Sequence, residues 1–212
     1  MELVQIDHTQ ADIFVVDEGT RKAIGRPWVS VAIDVASRVV LGFYLAMARP
    51  NSATVALLLT RVAMPKAAWL ASLGLADVDW PMSALPDTLH LDNAAEFKSR
   101  ALRSGCREYN IELTYRPVGR PHFGGHVERM NRTLMDRLRG LPGATVTIEA
   151  RRKKKVRPPE QTAQMTLREF EQWLVLEVAY RYHHGEHRGL LGATPPCPGP
   201  TGAAHLCNRR PS

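Results

Sequence analysis

Two runs rich in β-branched residues, WVSVAIDV (28–35) and RVVLGFYLA (38–46), follow one another with only Ala36 and Ser37 between them. Such a pair reads as a hairpin, because β-branched and aromatic side chains pack well on a pleated surface and small residues turn the chain. With the shorter run ELVQID (2–7) it gives three adjacent strands, so the chain commits to a sheet within its first 46 residues. Residues 10–26 contain DEGTRK and read as a loop or hairpin excursion. NSATVALLLTRVAMP (51–65) repeats apolar residues at helical spacing behind an N-cap at Asn51 or Ser52. Residues 66–76 extend or follow that helix, and VDWPMSALPD (78–87) is a proline-containing loop. TLHLD (88–92) and IELTYR (111–116) are short strands on either side of a helical pattern over 95–110, with Phe97, Leu102 and Cys106 on one face. PVGRPHFGG (117–125) is a loop, and HVERMNRTLMDRLRGL (126–141) is an amphipathic helix striped by Val127, Met130, Leu134 and Leu138. Residues 142–165 lack helical periodicity, and 165–184 form a last long helix capped by Thr166 with Glu169 three residues on. The order β-β-β-α-β-α-β-α plus one appended helix predicts an α/β fold, a mixed sheet with helices on its faces. Residues 1–142 are expected to form the core, 143–191 a basic connector with the appended helix, and 192–212 a disordered, Pro/Gly-rich tail.

The 212 residues are 44% hydrophobic and 23% charged, which suits one globular domain and excludes disorder for the body of the chain. No stretch approaches the roughly 18 apolar residues of a spanning helix, so no membrane partner is expected. The first ten residues show no signal peptide. Cys106, Cys197 and Cys207 are too few and too scattered for a disulfide scaffold or a zinc site, which makes the cytoplasm the default compartment. The net charge of +7 is unevenly spread: residues 1–97 hold seven Lys/Arg against eleven Asp/Glu, and residues 98–157 hold sixteen against five. A polyanion-binding surface would therefore be built in the middle third.

Three carboxylates sit where chemistry is usually placed. Asp7 closes the first strand in QIDHT, Asp92 closes the fourth in LHLDNAAEF, and Glu128 lies in the first turn of the amphipathic helix. They can meet at one mouth of the sheet if the first and fourth strands are neighbours. Three clustered acids repel one another, so a cation is required. Hard divalent cations take oxygen ligands, and a pair of them about 3.5–4 Å apart supports in-line phosphoryl displacement. Beside a basic surface, such a cluster fits cleavage or joining of a polynucleotide. Each acid also has a simpler reading, as a turn residue or a helix-terminus charge. Asp12, Asp17 and Asp34 read as turn or surface residues.

The segments QIDHT, GRPWVSVAIDVASRVVLGFYLA, LHLDNAAEFKS and RPVGRPHFGGHVERMNRTL, in this order, resemble the catalytic core of the DDE transposase/retroviral integrase superfamily, and most of all the bacterial Mu-like transposase group. The interval between Asp92 and Glu128 holds 35 residues, the superfamily's typical spacing. The resemblance spans roughly 2–140, and YHHGEHRGLLGATP (182–195) is similar to the segment that follows such cores. It implies a ribonuclease H-like sheet, three antiparallel strands followed by two parallel ones. It implies Asp7, Asp92 and Glu128 as a metal-binding triad holding two Mg2+ or Mn2+ ions when DNA is bound. It further implies DNA-end cleavage by water, then attack of the freed 3′-hydroxyl on target DNA, without a covalent protein intermediate.

Asn93 is expected to orient Asp92 or touch substrate, and His8 to do the same for Asp7; turn chemistry is the alternative for Asn93. Gly119, Pro121, Gly124 and Gly125 match the superfamily's active-site loop, where glycine admits close approach of a phosphate. Arg129 and Arg132 flank Glu128 and are candidate phosphate contacts. Arg151, Arg152, Lys153, Lys154 and Lys155 head a strip (151–157) expected to bind DNA without sequence preference and with strong salt dependence. His183, His184 and His187 are not expected to bind metal. Asp7 lies six residues from Met1 and no β-rich composition follows 192, so the flanking domains of relatives are not expected in this chain. That leaves a second function open, a catalytically idle DNA-binding or oligomerising fragment of a transposase. The expected partners are DNA, further copies of the chain on DNA, and a full-length transposase or partner ATPase. The expected location is the bacterial cytoplasm, at the nucleoid.

Overall fold

A computed structural model describes residues 1–115, 125–145 and 157–185. Its strands are β1 (Leu3–Gln10), β2 (Val15–Val16), β3 (Ala23–Gly25), β4 (Trp28–Asp34), β5 (Val40–Ala46), β6 (Thr88–Leu91) and β7 (Glu112–Tyr115). Its helices are α1 (Ser52–Ala63), α2 (Ala67–Ser72), α3 (Arg100–Glu108), α4 (Gly125–Leu138), α5 (Pro159–Thr162) and α6 (Leu167–Leu176), with a 3₁₀ turn at Ala95–Lys98 and a π-helical segment, Glu177–Tyr182, continuing α6. Five strands form one sheet in the order β5-β4-β1-β6-β7, and β2 and β3 pair as a separate hairpin. β4 runs antiparallel to both β1 and β5, whereas β6 runs parallel to β1 and β7 parallel to β6. This is the mixed, ribonuclease H-like sheet that the resemblance implies.

Local chemistry explains the elements that frame the sheet. Asn51 caps α1 by accepting from the amides of Ala53 and Thr54, and the Thr54 hydroxyl returns a bond from the Asn51 N–H. β5 is an edge strand, and at its first residue side chains take up the backbone groups: Val40 N–H donates to His183 Nε2 at 3.1 Å, and Trp80 Nε1 donates to the Val40 carbonyl at 3.1 Å. Phe43, Trp69, Trp80 and His183 pack edge-on or tilted around that point.

Helix α6 is built into the same core as the sheet, through fully or almost fully buried Phe170, Leu174, Val175 and Val178. Val16 N–H donates to Met165 O, Trp69 Nε1 to Glu171, and Gln172 Nε2 to Leu73 O. The Thr166/Glu169 capping box read from the sequence is formed. Arg137 of α4 pairs with Glu177, whose side chain is buried, so the two helices are joined by an ion pair.

Three readings of the sequence need correction. β1 does not end at Asp7 but runs to Gln10, because its antiparallel partner β4 supplies pairs as far as Gln10–Trp28. The helix expected over 95–110 is broken at Ser99, whose side chain caps α3 by accepting from Leu102 N–H, while Phe97 is drawn fully into the core. Gly125 is the first residue of α4 rather than part of the loop before it. Asp34 takes the turn role read for it: it is buried and its carboxylate accepts from Ser37 N–H and Oγ to close the β4–β5 turn. The tail at 192–212, residues 186–191 of the connector with His187, and Cys197 and Cys207 lie outside the described residues, as do Gly119, Pro121, Gly124 and the cations at 151–155.

Candidate active site

The parallel register of β1 and β6 aligns Leu3 with Thr88, Val4 with Leu89 and Gln5 with His90. The ladder ends there, and Asp7 and Asp92 each follow its last pair by two residues, Asp7 still within β1 and Asp92 just beyond β6. Side chains alternate along a strand, so Gln5 and Asp7 share one face of β1, the face that His90 takes on the neighbouring strand. The Gln5–His90 side-chain bond, from Nε2 to Nδ1 at 3.2 Å, demonstrates the common face directly. Asp92 lies just past the end of β6, half-buried, and its Oδ1 accepts from Ala94 N–H at 2.8 Å in a turn that fixes the carboxylate. Asn93, at the apex of that turn, is exposed.

Helix α4 packs on this face of β1. Val127, Met130, Leu134 and Leu138 bury the stripe expected from the sequence, and Asn131 is buried beside them. Asn131 Nδ2 donates to Asp7 Oδ2 at 3.2 Å, and four residues on Met135 Sδ accepts from Asp12 N–H. These two contacts define the flank of α4 that faces β1. Glu128 lies on the same flank, three residues before Asn131, a rise of about 4.5 Å along the axis. It is exposed, as are Arg129 and Arg132.

The electrostatics near the start of α4 are cationic. Arg38, in the β4–β5 turn at φ 65°, and Arg129 both act on His126. Burial holds the His126 imidazole below its ordinary pKa, and the two guanidinium groups add to that effect. Burial also lowers the pKa of Arg38, whose Nη1 is enclosed without a hydrogen-bond acceptor among the described residues.

The donor set fits a hard divalent cation: carboxylate oxygens from two adjacent parallel strands, with a third carboxylate on the helix flank that faces them. As the side chains stand, no group of three or more His, Cys, Asp or Glu among the described residues could hold a metal ion.

Other residues singled out in the sequence have different positions. His8 points to the opposite face from Asp7, with its Nδ1 2.7 Å from Ser30 Oγ and its ring stacked on Phe97 at 4.8 Å, so it braces the sheet. Ser30 is fully buried, which excludes that pair as an exposed nucleophile and base. Asp12 pairs with Arg26, and Asp17 accepts from Thr20 N–H and Oγ, both turn roles. His183 is buried against Val40, and His184 Nδ1 lies 3.0 Å from Ala179 O. Gly125 has open space where a Cβ would stand. Asn131 and Arg38 were not picked out by sequence reasoning. Asn131 had a signal, a polar residue adjoining an apolar stripe and three residues from Glu128; Arg38 had none.

Residues 5–143 match the family model described as the TnsB C-terminal domain. The chain is 30% identical over 186 residues to the Escherichia coli Transposon Tn7 transposition protein TnsB, covering 85% of this chain and 26% of that protein. It is 29% identical over 143 residues to the Staphylococcus aureus Transposase for transposon Tn552, covering 66% of this chain and 28% of that protein. The chain therefore spans about a quarter of the length of these relatives. Among solved structures, the catalytic core domain of BIV integrase aligns with a TM-score of 0.46 at 19% identity, over 92% of this chain and 90% of that one. The HTLV-2 integrase catalytic core domain in complex with magnesium aligns at 0.39 and 16% identity, over 64% of this chain and 67% of that one.

Proposed function

The chain belongs to the TnsB C-terminal domain family, and from that premise we propose that it is a metal-dependent polynucleotidyl transferase core, acting in DNA-end cleavage and strand transfer. The observation that supports this reading is the parallel β1–β6 ladder, which ends two residues before Asp7 and Asp92, with Asp7 held by Asn131 of α4. Asp7, Asp92 and Glu128 are the proposed ligands of Mg2+ or Mn2+. When bound, such ions polarise a phosphodiester and lower the pKa of water or a hydroxyl. The protein's share is positional. Asp92 is held by its turn, Asp7 by Asn131, and Glu128 by the helix flank, so Glu128 approaches the other two by rotation of its own side chain. Asn93, Gly124, Gly125, Arg129 and Arg132, with the cations Arg151, Arg152, Lys153, Lys154 and Lys155, are proposed to contact DNA, where backbone contacts fix the strand's register.

The proposed partners are DNA, further copies of this chain assembled on DNA, and a full-length transposase or partner ATPase. No helix among the described residues is long and apolar enough to cross a membrane, and the nucleoid is the proposed site of action. The test is Mg2+- or Mn2+-dependent nicking and strand transfer on pre-cleaved DNA ends, comparing the wild type with Asp92→Asn. The reading expects activity in the wild type and a loss of at least about 100-fold in the variant. Equal activity in both would reject the assigned site.

A further inference from the structure

Asn131 is 6% exposed, and its two amide atoms differ in their surroundings. Nδ2 donates to Asp7 Oδ2 at 3.2 Å, whereas Oδ1 is enclosed with no hydrogen-bond partner among the described residues. An ionised carboxylate only accepts hydrogen bonds, so the amide must turn its NH2 toward Asp7. The geometry therefore leaves the acceptor end unsatisfied in an apolar stripe of Val127, Met130 and Leu134. A buried acceptor without a donor opposes folding, and leucine would fill the same space without it. A purely structural selection would favour the apolar side chain there.

We propose that Asn131 is a positioning residue of the metal site: it clamps the Asp7 carboxylate in the orientation that meets a divalent cation beside Asp92, at the expense of packing. The inference rests on the reading of Asp7 and Asp92 as metal ligands. It adds a residue that touches no ion and acts through Asp7. Groups that orient metal-ligating carboxylates govern affinity strongly, and their loss weakens metal binding by about 10–100-fold.

The test measures binding and folding rather than turnover. Mn2+ alone is titrated into the full chain, wild type and variant, with free Mn2+ followed by electron paramagnetic resonance; thermal unfolding is recorded without metal. Asn131→Leu is expected to unfold at a midpoint equal to or above the wild type, while binding Mn2+ about 10–100-fold more weakly. Asn131→Ala, which keeps the position small if leucine is not accommodated, is expected to show the same loss of affinity. A folded Asn131 variant with wild-type Mn2+ affinity overturns the inference. A loss of affinity that only mirrors a lowered midpoint overturns it as well, since packing alone explains that result. Asp7→Asn separates the two levels: if Mn2+ binding does not depend on Asp7, the metal-ligand reading falls and takes the inference with it, whereas dependence on Asp7 with indifference to Asn131 rejects the inference alone.

Discussion

Lys66 shows how far a single side chain can be held from its preferred state. It is 3% exposed, and its Nζ donates to the Val62 and Met64 carbonyls at the end of α1. Those bonds suit a cation at a helix C-terminus, but burial, with Arg61 nearby, pulls the ammonium pKa from 10.5 down to about 8. Between those values the unfolded chain keeps the proton and the folded chain releases it, so stability rises with pH across the window. Below about pH 8 the charged lysine opposes folding. The unfolding free energy of the wild type relative to Lys66→Met, measured in urea, is expected to climb by roughly 1–3 kcal/mol between pH 7 and 10.5; a flat difference would contradict the burial argument. At the same scale the sequence marks residue types but not their partners. Asp7, Asp92 and Glu128 stand out by spacing, yet that Asp7 leans on Asn131 depends on where α4 crosses β1, which no local pattern encodes. His8 sits next to Asp7 in sequence and faces the other way, because strand alternation overrides proximity along the chain.

Elements were legible wherever their signals were local. The β4–β5 hairpin follows from β-branched runs around a short turn, Asn51 was one of two N-cap candidates before α1, and the Thr166/Glu169 capping box stands in the sequence. Element ends were less legible. β1 runs past Asp7 because a distant strand pairs with it, and Ser99 divides what periodicity alone reads as one helix. The π-helical segment after α6 has no sequence mark; there the buried Glu177 reaches Arg137 and Arg181. The turn after α4 depends on Gly143. Its φ is 86°, and a Cβ would stand 2.8 Å from Phe14 O and 2.9 Å from Ala163 Cα. Gly143 O accepts from Phe14 N–H, and Thr145 N–H donates to Asp12 O, which ties the end of α4 to the segment leaving β1. Gly143→Ala is therefore expected to destabilise the fold by about 2–4 kcal/mol in denaturant unfolding. A change under about 0.5 kcal/mol would show that this tie does not constrain the chain.

Across the molecule, the five-stranded sheet has β5 and β7 at its edges, with the proposed site at the ends of its inner strands β1 and β6. Val40 at the start of β5 is capped by Trp80 and His183, and Gln5 of β1 and His90 of β6 bring polar side chains from separate strands together. The order of elements made this architecture readable from the sequence, since a hairpin followed by alternating helices and short strands has few ways to close around one core. Where α6 packs was not readable, because an amphipathic helix looks the same whatever it covers. In the fold it contributes Phe170 and Leu174 to the common core and links to α4 through Glu177, so it belongs to the frame that holds the candidate site. The central claim is that Asp7, Asp92 and Glu128 converge on divalent ions, and crystals soaked in Mn2+ with data collected at the manganese absorption edge test it most directly. The account requires an anomalous peak between the Asp7 and Asp92 carboxylates, within reach of Glu128. A peak confined to other residues, with this pocket open and Mn2+ saturating, would contradict it.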